Sequence, residues 1–178
     1  MTEAAVMLKD EGLRLFQEGA YLEALENFEK AYEAFLAADQ PLDAAEMLNN
    51  IGVVHRMDGR LDEAAAKLEE ARAIFEQAGD RSRAAQTLGN LAPLYSKQKA
   101  TDKAIEAYKA AAAIFEDLGE KDHLGETLLA LGVLQFREGN RQAGLGSYES
   151  GLLLIQNPTP AQKRTRTMLK LRMKLLGS

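Results

Sequence analysis

The 178 residues contain no cysteine and no tryptophan, and proline occurs only four times. Without cysteine there is no disulfide framework, no thiol nucleophile and no thiolate metal ligand. So few prolines leave long stretches free of helix breakers. No apolar run approaches the ~18 residues that cross a bilayer. The opening MTEAAVMLKDEG has acids where a secretory leader needs an apolar core. These absences lead us to expect a soluble, cytoplasmic chain. Catalytic apparatus is missing too. The two histidines, His55 and His123, fall in different parts of the chain, and there is no phosphate loop, nucleophile elbow or metal cluster. GLGSYESG has glycines at nucleotide-loop spacing but no strand before it. We expect no enzyme activity, no cofactor and no metal.

What is present is helical composition and a repeat. Ala, Leu and Glu dominate, hydrophobic residues make up 46% and charged residues 28%, an ordinary balance for a folded chain. A shift of 40 residues aligns the sequence with itself four times without a gap. Leu8, Leu48, Leu88 and Leu128 coincide, as do Gly12, Gly52, Ala92 and Gly132. Ala24, Ala64, Ala104 and Gly144 follow, and Phe35, Phe75, Phe115 and Ile155 close each unit. Within each unit the apolar residues recur at helical spacing on two segments, with Gly19, Gly59 and Gly139 at the turn between them. The spacing predicts helices near 2–18, 21–38, 42–58, 61–78, 82–98, 101–118, 122–138 and 141–156. A ninth, near 160–176, follows NPTP.

This pattern resembles the tetratricopeptide repeat. The resemblance rests on Leu48, Ile51, Gly52, Gly59, Ala64, Leu68 and Ala71 and their equivalents across residues 4–156. The 40-residue unit, with LNNIG and LGNLA, is similar to the long-repeat subclass of kinesin light chains and Leu-Gly-Asn adaptors. It implies an all-α fold, a right-handed α-solenoid of four helical hairpins plus a C-terminal capping helix. The repeats would occupy residues 1–157 (about 2–38, 42–78, 82–118 and 122–156), and residues 158–178 would form a basic amphipathic cap. It also implies a non-catalytic adaptor, scaffold or assembly factor that binds a protein or peptide in a groove lined by the first helices.

Asn49 and Asn50 sit inside a helix, where each costs roughly 0.5 kcal/mol against Ala. With Leu48 at the centre of the core stripe, Glu46, Asn50, Val53 and Met57 face the opposite way, with Asn49 at the edge. The repeat extends this face into ladders of Glu46 with Gln86, Asn50 with Asn90, Leu13 with Val53 and Val133, and Met57 with Lys97 and Arg137. By the resemblance, Asn50 and Asn90 are clamps for the backbone of an extended peptide with one apolar face. Lys9 joins the same wall, but Asn49, Gly89 and Leu129 stand where a chaperone-tail clamp needs cations. Three departures carry structural expectations. Pro93 should bend its helix, Lys99 replaces a turn glycine, and Gly144, Gly146 and Gly151 should weaken the fourth unit.

His55 falls on the core stripe, and His123 reads as a solvated i,i+3 partner of Glu126. Residues 157–178 hold six Lys and Arg and no acid, so the rest of the chain is −11 of the net −5. An acidic body disfavours nucleic acid as the main ligand. On the last helix Lys163, Arg166, Lys170 and Lys174 form a basic face, while Met168, Leu169, Leu171, Met173, Leu175 and Leu176 are apolar. We expect a cap over the last hairpin, with membrane-surface or nucleic-acid binding as the alternative function and homodimerisation as a further use of the apolar arc.

Overall fold

Each helix forms where the repeat places an apolar stripe between turn signals. The structure, a computed structural model, describes residues 2–176. Among them lie α1 (Thr2–Gln17), α2 (Tyr21–Ala37), α3 (Pro41–Met57), α4 (Leu61–Gln77), α5 (Arg81–Lys97), α6 (Thr101–Leu118), α7 (Lys121–Arg137), α8 (Arg141–Leu154) and α9 (Pro160–Leu176). No described residue is in a strand, and no described helix is long and apolar enough to cross a membrane. The fold is an all-α solenoid of helical hairpins. By packing, the chain divides into two compact units, Met1–Ala104 and Ile105–Ser178.

In the first unit, α1 pairs with α2 and α3 with α4, and α2 and α4 each also pack on the next first helix. The pairing is tight because small residues meet large ones. A Cβ on Gly12 would lie 2.7 Å from the Phe28 ring, and one on Gly52 would lie 2.7 Å from Leu68 Cγ. Phe28, Phe35, Phe75, Leu48 and Leu68 are fully buried around these contacts, each contributing about 1.5–3 kcal/mol by leaving water. Gly52 is therefore where Leu68 seats on the α3 backbone, and its helix penalty of about 1 kcal/mol is outweighed.

The turns within hairpins repeat one geometry. The amide of Ala20 bonds to the Leu15 carbonyl at 2.9 Å, Arg60 to His55 at 2.9 Å, and Ala100 to Tyr95 at 2.8 Å. This wrap requires a left-handed residue just before the amide. Gly19 and Gly59 supply it at φ 80° and 82°, and Lys99 adopts it at φ 62°. The Lys99 turn is thus strained, by about 1–2 kcal/mol, but not reshaped. Helix α5 runs unbroken through Pro93.

In the second unit α7 and α8 approach backbone to backbone. A Cβ on Gly144 would lie 2.7 Å from the Phe136 amide nitrogen, and one on Gly151 would lie 2.5 Å from the Gly125 carbonyl. The glycines expected only to weaken α8 thus include two that the packing demands. Gly146 differs, since a Cβ there meets nothing within 4 Å. His123 pairs through Nδ1 with Glu120 Oε2 at 2.8 Å, not with Glu126, and its ring lies 5.1 Å from that of Phe115. The reason is that Glu120 precedes the first turn of α7 and reaches over it.

Helix α9 opens with a reciprocal capping box. The Thr159 amide donates to Gln162 Oε1 at 2.8 Å, and the Gln162 amide donates to Thr159 Oγ1 at 3.3 Å. Arg166 is not part of a free basic face. It donates to the Leu153 carbonyl at 2.8 Å and the Ile155 carbonyl at 2.9 Å, satisfying the end of α8. Leu169 is buried, while Met168 and Leu171 are exposed. The side chains of Met173, Lys174, Leu175 and Leu176, expected on the apolar arc and basic face, lie outside the described residues.

His55 is buried, and its Nδ1 has no hydrogen-bond partner. Burial, aided by the nearby Arg60 charge, pushes its imidazole below the ordinary value of 6.5. The unfolded chain therefore takes up the proton first. Stability is full above about pH 6.5 and falls as pH drops through that value towards the lower folded one. A urea-melt series should show this loss setting in as pH falls below about 6.5. His55→Leu, which copies Leu15 of the first repeat, should flatten it.

The glycines of α8 allow an internal comparison. Gly144→Ala and Gly151→Ala should each destabilise by about 1–3 kcal/mol through overpacking. Gly146→Ala should stabilise by about 0.5–1 kcal/mol. Thermal melts of the three variants test the assignment, and equal effects would contradict it.

Candidate functional site

The first helices α3 and α5 touch, and polar side chains fill the seam between them. Asn90 Nδ2 on α5 donates to Asn49 Oδ1 on α3 at 3.0 Å. Beside this bond lies a cleft of about 310 Å³ lined by Glu46, Asn49, Asn50, Phe75, Arg83, Gln86 and Thr87. Asn49 already accepts one bond, so its amide nitrogen remains as a donor. Asn50 makes no side-chain hydrogen bond within the described structure. Gln86 Nε2 is held by Ser82 Oγ at 3.4 Å, which leaves the Gln86 carbonyl oxygen. The cleft therefore offers both amide donors and amide acceptors, a set that matches a peptide backbone.

Arg83 organises one wall. Its backbone amide donates to Asp80 Oδ1 at 3.0 Å and its Nε to Asp80 Oδ2 at 2.6 Å. Its guanidinium carbon sits 5.1 Å from the centre of the Phe75 ring. Its Nη1 lies 3.8 Å from Glu46 Oε2, and Lys9 Nζ on α1 lies 3.5 Å from Glu46 Oε1. A charge ladder thus crosses three first helices. The side chains are a quarter to a third exposed, so each link contributes at most about 1 kcal/mol. Partial burial pushes the Asp80 carboxyl up, but the Arg83 amide and guanidinium outweigh it and hold the group below the ordinary carboxylate range.

Of the residues expected in the groove, Glu46, Asn49, Asn50 and Gln86 line the cleft, Asn90 closes its edge through Asn49, and Lys9 reaches it through Glu46. Val53 instead packs with Leu68, Leu91 and Leu94. Leu13 and Met57 are exposed, and Lys97 Nζ donates to the Arg56 carbonyl at 3.3 Å. Val133 and Arg137 belong to the second unit, where Val133 is 58% exposed and Arg137 Nε donates to Glu138 at 3.2 Å. Arg83, Phe75 and Thr87 were not foreseen. Arg83 stands one turn before Gln86 on the same face, so extending the ladder by a turn reaches it. Phe75 is the large residue that closes its repeat.

Tyr95 illustrates polar chemistry kept for structure. Burial, and its hydrogen bond to Glu69, push the phenol up to about 12. Among the described residues no group of acids and histidines could hold a metal ion.

The family model described as tetratricopeptide repeat matches residues 3–77 and 43–117. Among solved structures, BtubC (BKLC) from P. vanneervenii is similar with a TM-score of 0.73 and 20% identity, over 88% of this chain and 66% of that one. The Rap conjugation gene regulator of plasmid pLS20, solved in complex with the Phr* peptide, has a TM-score of 0.79 and 18% identity, over 97% of this chain and 53% of that one. The apo form of RapI has a TM-score of 0.77 and 14% identity, over 99% and 49%. The chain thus spans about half to two-thirds of the length of these proteins, and identities this low establish a shared fold only. No curated protein sequence matches the chain.

The Asp80 cap yields a test of the cleft wall. Asp80→Ala should cost about 1 kcal/mol at neutral pH. Because the folded carboxyl is held low, its contribution is present above the unfolded value and is lost as pH falls through the folded one. Denaturant melts of wild type and variant should therefore converge in acid.

Proposed function

The chain belongs to the tetratricopeptide repeat family, and on that premise we propose that it is a non-catalytic protein-interaction module that holds an extended peptide in the α3–α5 cleft. The observation that carries this reading is Asn50, a cleft amide whose side chain makes no hydrogen bond among the described residues, placed beside the Asn49–Asn90 pair. An amide inside a helix is a poor helix former, and here no described residue uses its hydrogen-bonding capacity. An extended backbone presents N–H and C=O in alternation and would use both. The Rap regulator solved with the Phr* peptide supports a peptide as the ligand class for this fold. Membrane or nucleic-acid binding through α9 has less support, because Arg166 is engaged by α8 carbonyls.

The roles of the asparagines differ in this reading. Asn50 binds the ligand, whereas Asn90 and Asn49 set the spacing of α3 and α5 as well as lining the path. Val53 supports the cleft from within the core and does not select ligand side chains.

A displayed library of random linear peptides, selected on the immobilised protein, supplies a ligand for calorimetric titration. Asn50→Ala should weaken that peptide about 2- to 12-fold, the value of one net hydrogen bond, without lowering the melting temperature. Asn90→Ala should weaken binding and also lower the melting temperature. Unchanged binding by Asn50→Ala would sink the reading.

A further inference from the structure

Helix α5 holds a proline in its interior and continues through it. A proline has no amide hydrogen, so Pro93 cannot make the helical bond to the carbonyl four residues back, which belongs to Gly89. Its ring also crowds that carbonyl. No turn amide and no side chain among the described residues donates to the Gly89 carbonyl. The carbonyl is bare as well, because the space that a Cβ on Gly89 would occupy has nothing within 4 Å. Packing therefore does not demand this glycine, although glycine is a poor helix former. In α3 the equivalent positions are Asn49 and Val53, where the amide is present.

Two neighbours of Gly89 are also left as acceptors. Gln86, Gly89, Asn90 and Pro93 stand at i, i+3, i+4 and i+7 on α5, and all four are half-buried. The Gln86 amide nitrogen is held by Ser82 Oγ at 3.4 Å and the Asn90 amide nitrogen by Asn49 Oδ1 at 3.0 Å, which leaves their side-chain oxygens as the groups without a partner. Charge favours a cation at this wall. Residues 1–104 hold nineteen acids and twelve bases, and Glu46 lines the cleft opposite. The bases of α5 on either side are engaged, Arg83 with Asp80 at 2.6 Å and Lys97 with the Arg56 carbonyl at 3.3 Å.

We propose that this wall of α5 takes the guanidinium of an arginine side chain carried by the bound peptide, which donates to the Gly89 carbonyl and to the side-chain oxygens of Gln86 and Asn90. The proposal rests on the peptide reading of the α3–α5 cleft and adds a residue type to it. A guanidinium has several N–H donors and no acceptor, so it suits a wall of acceptors, whereas an amide brings an oxygen of its own. Its donors are spread over a plane, unlike those of a compact ammonium.

A displayed library of random linear peptides, selected on the immobilised full chain, tests this. The selected peptides should be enriched in arginine over the unselected library. For the tightest of them, arginine to alanine should weaken binding at least about tenfold, and citrulline, which keeps the shape without the charge, should weaken it too. Pro93→Ala restores the amide that pairs with Gly89. This variant should bind the peptide about tenfold more weakly while melting at a higher temperature, because an interior helical bond is regained. The peptide's arginine should also matter about tenfold less to Pro93→Ala than to the wild type, the coupling expected of a direct contact. Peptides that depend on Asn50 but show no arginine enrichment, or that bind Pro93→Ala as tightly as wild type, would overturn the arginine assignment and leave the cleft reading standing. A selection that yields no peptide sensitive to Asn50→Ala would sink both.

Discussion

Everything in this molecule rests on how closely one helix lies on its neighbour. Phe28 over Gly12 and Leu68 over Gly52 put large side chains directly on a first-helix backbone. Between α7 and α8 the approach is closer still, with Gly132 against Gly144 and Gly125 against Gly151. One added methyl at such a point would push the pair apart, because close-packed interiors have no slack to absorb it. On α3 the tight hairpin leaves Glu46, Asn49 and Asn50 outside the core, where they line the cleft. Phe75 of α4 packs with Ala45 and Leu48 of α3 and Ala84 of α5, and its ring also lines the cleft between α3 and α5.

Polar groups in that cleft are arranged by degree of engagement. Asn90 donates to Asn49, so the seam between neighbouring first helices is closed by a neutral hydrogen bond. A neutral bond of this kind contributes about 0.5–1.5 kcal/mol and is indifferent to salt. The Lys9–Glu46–Arg83 ladder beside it is partly exposed and sensitive to salt. The two devices therefore respond differently to solution conditions while holding the same helices. Asn50, beside them, has no such partner among the described residues.

The architecture was largely legible because a 40-residue period returns the same residue type to the same packed place. Helix ends read from Gly19, Gly59 and Gly139 agree with the structure to within a residue or two. Direction on a helical wheel was legible as well, and Glu46, Asn49, Asn50 and Gln86 do share a cleft. Neighbours were not. Arg166 looked like one of a basic row, yet it is close enough to the end of α8 to satisfy two carbonyls. Val53 looked like a groove residue, yet at the seam it leans into Leu68 and Leu94. His123 was paired with the wrong glutamate, because the wheel favoured Glu126 and ignored the residue preceding the helix. Arg83 was missed for a related reason. A charged residue near a helix start reads as solvated, and only the fold brings Asp80, Glu46 and Phe75 around it.

Arg83 also joins two parts of the argument that are separate in the sequence. It is bound to the N-cap of its own helix through Asp80, it covers Phe75 from α4, and it reaches Glu46 on α3. The turn between α4 and α5 and the wall of the cleft therefore share one side chain. Anything that binds the cleft and favours this arrangement stabilises the folded state by mass action. Through Asp80 that stabilisation reaches the turn, which no ligand in the cleft need touch. The cap, the ring contact and the charge ladder are each modest alone. Because they converge on one guanidinium, they fix its position more firmly than any one of them would, and a preorganised wall lowers the ordering cost of binding.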